Sequence, residues 1–189
     1  MVARLREIPS LTQIFSCLAR GRPSTYFWII IYATVEGEAR ELVEGPADEL
    51  ILQRAYIDNY GNYGKQPIED GIDVVAVDSL AFQRYCELAY LISKPLTVVT
   101  DNDGNAVAVR KRYEKYTGLV TLCVESDNTL NTLEPSVLAA NLDTFESFKS
   151  IIYLGKDIES RDPDSIKSFM IGNKTDRSMR VFTSEKKIN

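Results

Sequence analysis

The sequence has 189 residues, a formal net charge of −5 and no histidine. That length accommodates one domain with an appendage and a substantial hydrophobic core, while the acidic balance argues against tight nonspecific nucleic-acid binding through bulk positive charge. The missing histidine excludes His-based triads, His general bases and most zinc or non-haem iron sites.

Residues 1–38 form an N-terminal extension whose structure the sequence leaves open. Leu5, Ile8, Leu11, Ile14, Phe15 and Leu18 recur at roughly helical spacing until Gly21-Arg22-Pro23-Ser24 breaks the pattern. The stretch YFWIIIYA at 26–33 is strongly apolar, but far short of the roughly 20 residues that span a bilayer. It also lacks the cleavage site of a signal peptide, so no membrane association is expected. From Ala39 the pattern sharpens. Leu42 and Val43 make a short strand ending at Glu44-Gly45-Pro46, and proline suits the first turn of a helix because no backbone N–H is lost there. That helix is expected to run to about residue 60, with Leu50, Ile51 and Ala55 inward.

After a loop at 61–67, residues 72–77 (IDVVAV) read as a second strand and residues 79–92 as a second helix burying Phe82, Tyr85, Cys86, Ala89 and Tyr90. Residues 96–99 (LTVV) give a third strand, 105–116 a third helix, and 119–124 (LVTLCV) a fourth strand. Strand–helix alternation with such connections implies βαβ units and a parallel sheet. Helices are expected at 135–141, 145–153 and 166–182, with no fifth strand. The expected organisation is therefore the extension 1–38, an α/β core over 39–128 and a helical part over 129–189. Cys17, Cys86 and Cys123 are too few and too scattered for a disulfide framework or a zinc knuckle, which fits a reducing, cytoplasmic setting.

The third strand delivers Asp101 and Asp103 within three residues, followed by Gly104 (TDNDG). Parallel strands place Glu44, Asp101 and Asp103 at one edge of the sheet, where open α/β proteins bind ligands. Asp48, one helical turn beyond Glu44, faces the same crevice. Carboxylates crowded this way raise one another's pKa unless a cation offsets them. Magnesium or manganese suits all-oxygen donors, and two such ions can flank a phosphodiester in displacement chemistry. Read alone, Asp-Asn-Asp-Gly is equally a turn that caps the next helix, and Asp48 with Glu49 compensates the helix dipole.

A Glu-Gly turn after a first strand and an Asp-x-Asp after a later one is the signature of the Toprim fold. The ordered set VEGPADELILQRAY, GIDVVAVDSLAFQRYCELA, LTVVTDNDGN, NTLEP and GNKTD resembles the Toprim nuclease domain of the overcoming-lysogenisation-defect (OLD) endonucleases. The resemblance covers roughly 39–187 and implies a Rossmann-like sheet of about four parallel strands flanked by helices, with a C-terminal helical extension. It further implies a metal-dependent endonuclease acting on DNA. Glu44, Asp48, Asp101, Asp103 and Glu134 would bind two magnesium or manganese ions, with Glu44 also assisting proton transfer. Lys174 would steady the transition state, since developing phosphoryl charge calls for a preorganised cation.

By analogy with the family, the context is phage defence. OLD proteins carry an ABC-type ATPase ahead of the Toprim region, whereas no Walker A motif stands in this sequence. ATP dependence is therefore not expected of this chain itself, and an ATPase would act in trans. A homodimer is compatible with the resemblance, and so is a non-catalytic or truncated Toprim module that binds DNA or protein.

Blander readings stand beside these. Glu134 before Pro135 also suits an ordinary helix start. Lys174 sits among Lys167, Arg177, Arg180, Lys186 and Lys187 and reads equally as a solvated lysine. Arg110, Lys111, Arg112 and Lys115 make either a phosphate-facing strip or a solubilising helix face. Residues 101–112 do not form a calcium-binding EF-hand loop, because Ala106 replaces its glycine and Arg112 its bidentate glutamate.

Overall fold

A computed structural model describes residues 39–59, 65–77, 81–186 and 188. The N-terminal extension lies outside them. Four strands, β1 (Ala39–Val43), β2 (Ile72–Ala76), β3 (Leu96–Val99) and β4 (Val120–Cys123), form one wholly parallel sheet in the order β2-β1-β3-β4. Helices α1 (Pro46–Asn59), α2 (Phe82–Ile92) and α3 (Ala106–Tyr113) connect consecutive strands, and the last is extended by a 3-10 turn, Glu114–Tyr116. Then come α4 (Leu133–Ala140), α5 (Phe145–Ile152), α6 (Pro163–Gly172) and α7 (Lys174–Thr183). Strand count, direction and the C-terminal run of helices follow the expected α/β arrangement, with most boundaries shifted by one or two residues. Among the described residues no helix is long and apolar enough to cross a membrane.

Side chains alternate across a strand, so each strand offers two faces. Leu42, Val75, Leu96, Val98, Val120 and Leu122 share one core with Phe82, Tyr85, Cys86 and Ala89 of α2 and Val109 and Tyr113 of α3. A second core lies between α1 and the C-terminal helices, where Ile51 meets Val137, Phe148, Ile152, Ile166 and Val181. Burying such a side chain fully is worth about 1.5–3 kcal/mol, so this second core is what holds α4–α7 to the sheet layer.

Sequence spacing over 166–182 predicts one helix, but the structure has two. Asn173 breaks the run at φ −142°, ψ 44°. Its Nδ2 donates to Phe169 O at 3.1 Å, taking up a carbonyl that a continuing helix would have served. The first of the two also starts earlier than expected, at Pro163, where Asp162 accepts from Ser165 N at 2.8 Å in an N-cap.

The far end of α7 is fixed to α1 by Arg54. Its Nε donates to Asp58 Oδ2 (2.8 Å), Nη1 to the carbonyls of Phe182 (3.2 Å) and Ser184, and Nη2 to Lys186 O (2.7 Å). Asp58 Oδ2 in turn accepts from Ile188 N at 2.8 Å. Both charges are buried, and each is met by an opposite charge or a backbone dipole, the condition under which buried ions are tolerated.

Candidate functional site: an acidic rim at the strand-order switch

The chain steps from β1 to β2 on one side and then crosses back to β3 on the other, so strand order reverses between β1 and β3. Crevices at such switch points are where ligands enter open α/β sheets. Register settles which residues meet there. Glu41 lies opposite Thr97 and Leu42 opposite Val98, which brings Glu44, just past β1, level with Thr100, just past β3. Glu44 Oε1 accepts from Thr100 Oγ1 at 2.6 Å and from Asp101 N at 3.1 Å.

Gly45 begins the turn into α1, and its N–H donates to Asp48 Oδ2 at 2.8 Å. That bond keeps Asp48 at the rim, although burial raises its pKa and Glu44 and Glu134 push it further up. Asp101 is affected more strongly. Its pKa is pushed up to about 7, first by burial and then by Glu44 and Asp48, with Lys174 the cation pulling the other way. The rim thus holds more negative charge than its surroundings neutralise.

Glu134 and Lys174, far apart in sequence, reach the same place. Glu134 is 6 % exposed at the start of α4, and its Oε1 lies 3.1 Å from Lys174 Nζ at the start of α7. Its Oε2 accepts from Thr132 Oγ1 at 2.8 Å. Partial burial pulls the Lys174 pKa down, but the Glu134 hydrogen bond and the carboxylates beyond it outweigh that and raise it overall.

Asp103 stands apart from this group. It is exposed, with φ +50°, in a left-handed turn completed by Gly104 at φ +76°, and it does not line the cavity at the rim. The residue between the two aspartates turns inward instead. Asn102 is fully buried; its Nδ2 donates to the carbonyls of Glu125 (3.1 Å) and Asp127 (2.9 Å), and its Oδ1 accepts from Gly104 N (2.8 Å). Asn102 therefore ties the loop after β3 to the loop after β4. Sequence reasoning passed over both Asn102 and Thr100. Strand register alone would have pointed to Thr100, whereas nothing local marks the partners of Asn102.

A cavity of about 370 Å³ opens at the rim. Glu44, Asp48 and Asp101 form its acidic side, and Glu125 is a fourth acidic residue on the lining. Its floor and walls are mostly apolar and include Val43, Val99, Leu52, Leu130 and Leu133, with Cys123, Thr132 and Ser136 adding small polar groups. The basic residues Arg110, Lys111 and Arg112 lie in the last turn of α3 and do not line this cavity. Arg110 donates to Val124 O and Ser126 Oγ.

The donor chemistry fits a hard divalent cation: carboxylate oxygens, no histidine, and an Asp101 whose pKa is raised first by burial and then by its acidic neighbours. Distance does not yet match. Among the described residues no three acidic, cysteine or histidine side chains stand close enough together to hold an ion. Three of the rim carboxylates are instead occupied by internal donors, Glu44 by Thr100, Asp48 by Gly45 and Glu134 by Lys174.

Comparison with known proteins bears on the first part of this site. No curated protein and no solved structure matches the chain. Residues 41–103, about a third of its length, match the family model described as overcoming lysogenization defect protein-like, TOPRIM domain. That span contains Glu44, Asp48, Asp101 and Asp103 and stops short of Glu134 and Lys174. Over those residues the chain is similar to the Toprim domains of the OLD-like family.

Proposed function

We propose that this protein is a metal-dependent endonuclease that hydrolyses DNA phosphodiesters, with 39–128 as its Toprim core and 129–189 supplying the remaining site residues. The observation that carries this reading is the meeting of Glu44, Asp48, Asp101, Glu134 and Lys174 at the switch point of an OLD-like Toprim sheet. Glu44, Asp48, Asp101 and Glu134 would hold magnesium or manganese from the rim, and Asp103, turned to solvent in this structure, would take no part. Such ions supply a Lewis acid for the phosphoryl oxygens and lower the pKa of water. Glu44 takes the proton of the attacking water, Thr100 holding its carboxylate in place. Lys174 counters the charge that develops on the phosphoryl group, and removing a preorganised donor of this kind costs about 3–4 kcal/mol in the transition state.

The test is nicking of supercoiled plasmid with magnesium or manganese against a chelator control. Glu44→Gln and Asp101→Asn are each expected to lower nicking at least a hundredfold while circular dichroism stays native. Retained nicking in either variant refutes its assigned role. A second reading, a non-catalytic Toprim module, is favoured by the internal partners that occupy the rim carboxylates. Metal binding by calorimetry without cleavage of any substrate would support it.

A further inference from the structure

The acidic rim is one side of a cavity whose described lining includes no lysine or arginine to meet a phosphate. Val43 and Cys123 flank Val99 on three adjacent strands, because Val99 pairs with Cys123 and the β1–β3 register carries Val43 alongside. All three are the last residues of their strands, so this floor runs directly into the carboxylates. Leu52 of α1 and Leu133 of α4 form walls. Ser136 Oγ donates to Thr132 O at 3.1 Å and keeps its own lone pairs for a further donor. A volume of about 370 Å³ lies in the range of pockets that bury a small ligand between apolar walls and a few polar groups.

A nucleic-acid strand has one large apolar surface, the faces of its bases, and in a duplex those faces are stacked on one another. Enzymes that need a base outside the stack receive it in a closely fitting pocket. Binding to apolar faces is also the sequence-tolerant part of single-strand recognition. A neutral base is moreover the part of the substrate that can approach the four acidic residues of this lining without a counter-ion. We infer that this cavity receives one unpaired nucleobase of the strand being cut, so that the preferred substrate is single-stranded DNA or a duplex bearing an unpaired nucleotide beside the scissile phosphate. The scissile phosphate then sits at the rim, the sugar at the mouth, and the base on Val99 and Cys123, between Leu52 and Leu133. This rests on the hydrolytic reading for the placement of the phosphate.

Cys123 lets the cavity report on its own occupancy. It is exposed, whereas Cys86 is fully buried with its thiol pushed up to about 12 and stays unreactive. In the full chain carrying Cys17→Ser, the rate of Cys123 alkylation by iodoacetamide at alkaline pH is measured by mass spectrometry with magnesium present. A thymidine oligonucleotide is expected to slow it at least fivefold, and the same oligonucleotide annealed to its complement less than twofold. Equal protection by both, no protection by either, or a Cys123 that is inert without nucleic acid overturns the inference. Ser136→Phe, which fills the cavity, is expected to bring the Cys123 rates with and without the single strand to within twofold of each other while circular dichroism stays native. Undiminished protection in a folded Ser136→Phe also overturns it. Should the unmodified chain cut neither substrate, the hydrolytic reading fails, and the two protection rates still decide what the cavity binds.

Discussion

The two ends of α1 handle buried charge in opposite ways. Towards its C-terminal end, Arg54 and Asp58 face each other at 2.8 Å, and their remaining hydrogen-bonding groups reach the carbonyls and an N–H of the 182–188 segment. Every charge there has its complement, so the cluster acts as a fastening. At the N-terminal end, Asp48 joins Glu44, Asp101 and Glu134 with Lys174 as the counter-charge, and Asp101 is left at about 7. One end is electrostatically closed and the other is short of positive charge. This contrast, more than any single distance, supports the proposal that the rim is the working surface.

The contrast can be broken most sharply at the closed end. Arg54→Ala leaves Asp58 buried and strips three carbonyls of their donor, with an expected loss of about 3 kcal/mol or more in denaturant unfolding. A loss below about 1 kcal/mol would mean that the fastening is ornamental. At the open end Lys174→Met removes the rim's counter-charge. Lys174 is half exposed and screened, so the expected loss is smaller, about 1–2 kcal/mol, most of it from leaving Glu134 unpaired. Added manganese should recover that loss, and a variant as stable as the parent in chelator would show that the pair contributes nothing.

The smallest effect has the opposite sign. The Asp101 pKa is raised in the folded chain, so the folded state holds more protons than the unfolded one between about 4 and 7, and stability falls as pH rises through that window. Asp101→Asn removes the titrating group. In chelator at pH 8 it should be more stable than the parent by about 1 kcal/mol, discounted for partial exposure, or roughly 2–4 °C in melting temperature. At pH 4 the two should melt together. A destabilised Asp101→Asn at pH 8 would show that the rim is not short of positive charge.

Much of this arrangement was legible in the sequence because it is local or follows from strand direction. The strand–helix alternation gave the parallel sheet, and parallel strands had to deliver Glu44 and Asp101 to one rim. Glu134 and Lys174, which entered only through a family resemblance, are brought to that rim by the second core, whose packing of α4, α6 and α7 has no local signature. The Arg54 fastening was invisible for a related reason: its partners are backbone carbonyls 128–132 positions away, and any residue offers a carbonyl. Asp103 shows the converse. Spacing cannot tell a side chain that turns in from one that turns out, and the left-handed turn sends Asn102 inward and Asp103 to solvent.

The reach of Arg54 also carries a consequence for how the molecule is made. Chains leave the ribosome N-terminal part first, at about 5–20 residues per second, and early elements begin to order before late ones exist. Three of the rim carboxylates precede Lys174 by more than seventy positions and the end of the last strand precedes it by about fifty, and the carbonyls that Arg54 grips emerge later still. For some seconds of synthesis the half-built sheet therefore carries its acidic rim with neither the lysine nor the fastening in place, and the site becomes whole only once that last helix has docked.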